Sequence, residues 1–149
     1  MKEQKISAIK EGTVIDHIPS KNTFKLADLL SLDEHSNILS VAKNLPSKKM
    51  GKKGMIKIGG RTLSKDELSK VALLAPKATV SIISNYEVLK KENLVLPKKV
   101  DKIIECNNPK CITNMEKTLT KFTVSSKDPI KVRCSYCERT MDEEEIKIK

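Results

Sequence analysis

Apolar and polar residues alternate at the start of the chain. Ile6 and Ala8, then Val14, Ile15 and Ile18, interrupted by Gly12, predict one or two β-strands with a turn or bulge at the glycine. The interval changes at Phe24, Leu26, Ala27, Leu29 and Leu30, which recur at helical spacing with Asn22 as the N-cap. Ile38, Leu39 and Val41 predict a strand ending at Pro46. The polar stretch from Pro46 to Gly54 reads as a loop, holding two glycines and four lysines. A further strand is expected at Met55 to Ile58, with Gly59-Gly60 turning the chain. Ser64, followed three residues later by Glu67, is a capping box that opens a helix through Leu68, Val71, Ala72 and Leu74, and Pro76 ends it. Thr79 to Ile83, followed by Tyr86-Glu87-Val88, is a β stretch rich in branched residues.

The order strand, helix, strand, strand, helix, strand is that of the split βαβ, ferredoxin-like arrangement. The fold class expected is therefore α+β, with two helices on one face of an antiparallel sheet. Glu92 to Lys99, with Pro97, reads as a connector. Residues 1–97 are expected to form one domain and residues 98–149 a second, small, all-β one. About 50 residues rarely bury enough apolar surface to fold alone, so this segment needs a metal or disulfides.

Its cysteines supply one. Cys106, Cys111, Cys134 and Cys137 have the spacings C-x4-C and C-x2-C, as in two knuckles presenting four sulfurs to one tetrahedral ion. Asn107, Asn108 and Pro109 are the turn formers that a knuckle requires. Disulfide pairing is the rival, but nothing in the sequence indicates an oxidising compartment. A rubredoxin-type or iron–sulfur site shares the ligand set. The expectation is one structural Zn²⁺ in a zinc-ribbon or rubredoxin-like domain. A catalytic zinc keeps an open position, often beside His, and neither His17 nor His35 lies in this segment.

Charge adds a partner class. The 149 residues hold 29 Lys and Arg against 19 Asp and Glu, a formal +10. Residues 1–99 carry +9 of this and residues 100–149 only +1, so anion-binding capacity belongs to the first domain. Part of it is expected to be a plain solvated lysine surface. The near-neutral second domain, with Phe122 and Tyr136 as its only aromatics, favours protein docking over nucleic acid. No apolar run approaches a membrane span, and the start Met1-Lys2-Glu3-Gln4-Lys5 leads into no secretory core, so a cytoplasmic protein is expected. No nucleophile elbow, phosphate loop or dinucleotide fingerprint is present. With the thiols committed to metal, an enzyme is not expected. The acidic run Asp142 to Glu145 reads as a solvated tail. Asp16-His17, at a strand end beside Pro19, and Tyr86 with Lys91 are candidate ligand contacts.

Taken together, these phrases resemble a known family. Gly12-Thr13-Val14-Ile15-Asp16-His17-Ile18-Pro19, Asn44-Leu45-Pro46-Ser47, Met50-Gly51 with Lys53, Ile56-Lys57-Ile58, Ala75-Pro76-Lys77-Ala78-Thr79-Val80, Asn85-Tyr86-Glu87-Val88 and both cysteine knuckles are similar to the regulatory chains of aspartate carbamoyltransferase. The resemblance runs from about residue 5 to residue 140. It implies a nucleotide-binding allosteric domain, a zinc domain that docks on the catalytic chain, and no catalysis. It also implies regulatory homodimers, formed through the first domain, that bridge catalytic trimers. In the family CTP typically inhibits, ATP activates, and UTP can act together with CTP. Carried over by motif, the effector site comprises Ile6, Ser7, Ile9, Asp16, His17, Lys57, Ser81, Ile83, Tyr86, Val88 and Lys91. Lys91 and His17 would neutralise phosphate oxygens, Lys57 would donate to ribose or base oxygens, and Asp16 would accept from ribose hydroxyls or hold Lys57. Ile6, Ile83 and Val88 would form the slot for the base, with backbone groups near Ile9 and Tyr86. Ser7 and Ser81 depart from the longer glutamate and asparagine of better-known members, and Lys90 competes with Lys91 for the phosphate role. Two alternatives stay open: a zinc-ribbon nucleic-acid-binding protein of the transcription or translation machinery, and a nucleotide sensor without a carbamoyltransferase partner.

Overall fold

Ile15 and Ile18 are three apart and both fully buried, which a straight strand does not allow, because its side chains alternate faces. In the computed structural model, which describes residues 9–148, a β-bulge resolves this. Strand β1 (Gly12–Pro19) pairs regularly with its neighbour up to Ile15, then shifts register before Ile18, with His17 left-handed at φ 60°. The irregularity thus falls at Asp16-His17. Gly12 does have a positive φ (138°), and a Cβ there would sit 1.9 Å from the Ile58 carbonyl oxygen. The expected strand at Ile6 and Ala8 lies outside the described residues.

Helix α1 (Thr23–Leu29) follows a 3₁₀ turn. Asn22 stands at its N-cap but does not cap it. The Asn22 amide instead donates to the Leu74 carbonyl at 2.9 Å, tying the end of the second helix to the start of the first. The stretch read as a loop from Pro46 to Gly54 is mostly hairpin. Strands β2 (Leu39–Ser47) and β3 (Gly51–Gly59) pair through Pro46↔Lys52 and Ser47↔Gly51, leaving Lys48 to Met50 as the turn. Helix α2 (Lys65–Leu74) has the expected capping box, both halves formed, and stops before Pro76.

The last β stretch is two strands. Strand β4 (Thr79–Ser84) and strand β5 (Glu87–Glu92) are joined by Asn85 (φ 55°) and Tyr86 (φ 66°), two successive left-handed residues as a tight hairpin requires. The sheet order is β2-β3-β1-β4-β5, and every pairing is antiparallel. Its first four strands have the ferredoxin-like order, and β5 extends one edge. Ile15, Ile56, Ile58 and Val80 are buried on one sheet face; α1, with buried Leu26, packs on β2 and β3, and α2, with buried Val71, packs on α1. Among the described residues of this unit, the other face carries no helix.

The chain divides between Val95 and Leu96 into two compact units. The second holds β6 (Lys99–Asp101), β7 (Ile104–Glu105), the single-turn α3 (Ile112–Met115), β8 (Lys121–Lys127), β9 (Ile130–Cys134), β10 (Thr140–Asp142) and β11 (Lys147–Ile148). A four-stranded sheet of order β10-β9-β8-β6 and a β11-β7 pair enclose Val100, Ile104, Phe122, Ile130, Val132 and Met141. The acidic run is not a tail. Glu143–Glu145 is a 3₁₀ turn with an Asp142/Glu145 capping box, and β11 follows it into the fold. No helix among the described residues is long and apolar enough to cross a membrane.

Candidate functional site

The helix-free face of the first sheet gathers most of the candidate residues. Directly opposed positions share a face, so the register defines a row across all five strands: Ser40, Lys57, Val14, Ser81, Lys91. Two residues along lies a second row, Gly59, Gly12, Ile83, Val88. This second row is flat at its two glycines and apolar at Ile83 and Val88. Val88 and Lys91 are an odd number apart, yet they share the face because the β4–β5 register shifts between Ile82 and Ile83. Lys90 opposes Ile82, whose side chain is buried on the helix face, and its ammonium lies 3.2 Å from Glu92. Of the two lysines, it is therefore Lys91 that stands beside Ser81 and shares the row with Lys57.

Beyond the first row, charge concentrates. Asp16 accepts from its neighbour's amide at His17 (2.6 Å) and pairs with Lys53 (2.9 Å). Lys53 is thus a salt-bridge partner of Asp16, and the Asp16 carboxylate also acts electrostatically on Lys57. His17 Nδ1 is 3.2 Å from the Thr79 hydroxyl. A cleft of 610 Å³ opens here, lined by His17, Pro46, Ser47, Lys48, Lys49, Gly51 and Lys53. Burial lowers the pKa of Lys57, partly countered by the Asp16 carboxylate. Such a desolvated ammonium favours an incoming anion.

The remaining candidates lie around the apolar row. Ile9 is buried and lines a hollow of 240 Å³ with Asn37, Gly59 and Gly60. Tyr86 is exposed in the β4–β5 turn, its amide donating to the Lys10 carbonyl at 3.0 Å. Ile6 and Ser7 lie outside the described residues. Sequence reasoning noted Lys53, Gly12 and Gly59 but did not count them, or Thr79, among the site residues, because their place in the site depends on register. His35, the other histidine, bonds through Nε2 to the Gly59 carbonyl at 2.8 Å, at the end of β3.

In the second unit the two knuckles bring Cys106, Cys111, Cys134 and Cys137 together, with all four sulfurs within 4.8 Å of one another. The closest pairs, Cys106–Cys137 at 3.5 Å and Cys111–Cys134 at 3.7 Å, are far too long for disulfides, and all four cysteines are free thiols. A tetrahedral ion about 2.3 Å from each sulfur would hold them about 3.8 Å apart, so the donor set and its spacing fit a metal. Three of the cysteines are buried and Cys137 is half-buried.

Hydrogen bonds surround the sulfurs. Burial pushes the Cys106 thiol up to about 12, against a bond from the Asn108 amide. Cys134 is also raised, by burial foremost, against amide bonds from Cys137 and Tyr136. Burial would raise Cys137 too, but the Arg139 amide, the Asn108 side chain and its two sulfur neighbours bring it down to about 7. One sulfur therefore ionises near neutrality while buried neighbours resist, and a divalent cation among them is what would ionise all four. Near the cysteines in sequence, Ile112 and Met115 of α3, Leu119 and Tyr136 are exposed apolar side chains, interspersed with exposed Lys110, Glu116, Lys117, Glu138 and Arg139.

Comparison with known proteins covers both units. A family model described as the aspartate carbamoyltransferase regulatory chain, allosteric domain, matches residues 4–95. A second, the metal binding domain of the same chain, matches residues 98–147. The aspartate carbamoyltransferase regulatory chain of Pyrococcus horikoshii is 55% identical over 148 residues, covering 98% of this chain and 97% of that relative. Its counterpart in Pyrococcus abyssi is 52% identical over the same shares. That of the bacterium Parabacteroides distasonis is 43% identical over 99% of this chain and 96% of the relative.

Proposed function

The chain belongs to the family of aspartate carbamoyltransferase regulatory chains, and from that premise we propose that it senses nucleoside triphosphates and passes their binding to the catalytic subunits. It is a regulatory chain, not a catalytic one, and its second unit is a metal-binding domain.

The observation that carries the proposal is the polarity gradient across the open sheet face. Gly59, Gly12, Ile83 and Val88 offer a flat apolar floor for a base, with Ile9 and the Tyr86 turn at its margin. Ser81 and Lys57, in the neighbouring row, offer polar atoms for a ribose. Lys91 and the lysine-lined cleft offer cations for a triphosphate, and the His17 ring offers a further polar contact. CTP and ATP share this layout, and so does UTP, for which the 610 Å³ cleft leaves room beside a first nucleotide. Ile6 and Ser7 would complete the base slot.

The four sulfurs hold one zinc ion, a closed structural site that shapes the docking surface. Exposed Ile112, Met115, Leu119 and Tyr136 supply the apolar contact for the catalytic chain. Two copies pair through the first unit, and such dimers bridge catalytic trimers. The assembly works in the cytoplasm, a reading that the four unpaired thiols support. Nucleotides bias the catalytic chains only through a difference in affinity between two quaternary states, a coupling of about 1–3 kcal/mol.

The test mixes the protein with catalytic trimer and follows carbamoyl aspartate formation with and without CTP and ATP. A nucleotide-dependent rate, absent with trimer alone, is expected. A rate indifferent to nucleotides despite complex formation would remove the sensing role. Binding to polymers above mononucleotides, falling steeply with salt, would point to nucleic acid instead.

A further inference from the structure

Hydrogen bonds to metal-bound thiolates spread their charge and fix their direction, and in a cysteine knuckle the backbone usually supplies them. Three of the four sulfurs follow that pattern. Cys106 takes the Asn108 amide, Cys134 takes the amides of Tyr136 and Cys137, and Cys137 takes that of Arg139. Cys111 differs because it is both a ligand and the residue that opens α3. Its carbonyl already receives the amides of Asn114 and Met115, while its side chain caps no helix amide. With its sulfur 3.7 Å from that of Cys134, it is committed to the cluster.

The group that does reach it is a side chain. The Thr113 hydroxyl lies 3.1 Å from the Cys111 sulfur, and Thr113 is 2% exposed. A buried hydroxyl without a partner is costly, and this is the hydrogen bond its hydroxyl makes. A metal-bound thiolate has no proton, so the hydroxyl must be the donor. We propose that Thr113 is a positioning residue of the metal centre, its buried hydroxyl holding the Cys111 thiolate in place. The inference rests on the four sulfurs binding an ion, as proposed above.

The full-length protein, Thr113→Val and Thr113→Ser are compared. Elemental analysis gives the ion content, a chromogenic chelator in excess gives the rate of ion release, and Co²⁺-substituted samples give the sulfur-to-metal charge-transfer band. Thr113→Val is expected to release its ion about tenfold faster, in line with the usual effect of losing an outer-shell partner. Its charge-transfer band should move to longer wavelength as the sulfur loses its donor, and Thr113→Ser should restore both. A merely structural role would move stability without moving the band. If valine prevents folding, Thr113→Ala carries the same band comparison. Unchanged release and an unmoved band in an ion-loaded variant would overturn the role of Thr113 alone. Wild-type protein without any ion would overturn the metal centre and this inference with it.

Discussion

Lys90 and Lys91 are neighbours in sequence and look away from each other in the sheet. Only Lys91 shares the row with Lys57 and Ser81, so Lys91→Ala should weaken CTP and ATP binding about tenfold, as loss of a charged hydrogen bond does. Lys90→Ala, which loses an exposed pair with Glu92, should leave the isothermal titration within about twofold. Comparable losses from both substitutions would sink the assignment of faces. Lys57 gives a test of opposite signs. Its folded pKa lies below the ordinary lysine value of 10.5 because burial disfavours the ammonium, so at neutral pH the charged side chain destabilises the native state. That penalty is complete below the lowered pKa and vanishes as pH rises towards the unfolded value. Lys57→Met should therefore keep or raise the melting temperature near pH 7, lose that advantage above pH 10, and still bind triphosphates more weakly. A lower melting temperature at pH 7 would mean that the side chain contributes more than it costs. Residue types at the candidate site were legible in the sequence, but their partners were not. Strict alternation puts Val88 and Lys91 on opposite faces, and only the bulge, a tertiary event, unites them.

Local chemistry made some elements plain and left others hidden. The Ser64/Glu67 capping box and Pro76 announce both ends of α2, and both operate. Ser64→Ala should cost about 1 kcal/mol, read as a lower urea midpoint with unchanged metal content. Gly12→Ala should be worse, since the new methyl group meets a backbone oxygen rather than a flexible side chain. Little soluble protein, or a loss well beyond that of Ser64→Ala, is expected; stability equal to wild type would contradict the pairing of β1 with β3. The lysine-rich stretch after Pro46 hid a hairpin because its arms lack alternation: Lys52-Lys53-Gly54 has no apolar face of its own and is ordered by β2. The β4–β5 turn was missed for a related reason. Asn85-Tyr86 lacks the glycine that advertises a tight hairpin, although Asn is the residue best able to begin one.

The cysteine spacing pointed to a second unit held by a metal, since so short a segment needs more than its few core side chains; the structure shows a separate unit with its four sulfurs clustered. Stripping the ion with a strong chelator should unfold residues 96–149, seen as collapsed amide dispersion in a two-dimensional NMR spectrum, while the signals of the first unit and its nucleotide binding persist. Loss of dispersion throughout the chain would show that the two units do not fold independently. The strand order, by contrast, could be inferred from the succession of elements but not the register that assembles the site. That order also has a consequence for biosynthesis. The strand at the heart of the first sheet is the earliest of the described strands to leave the ribosome, and residue 12 finds its opposite numbers only at residues 59 and 83. Until β4 emerges, a branched, apolar segment has one vacant flank, open to any other nascent chain that offers an edge. Translation arrested before that point should therefore yield aggregates rather than a smaller working sensor.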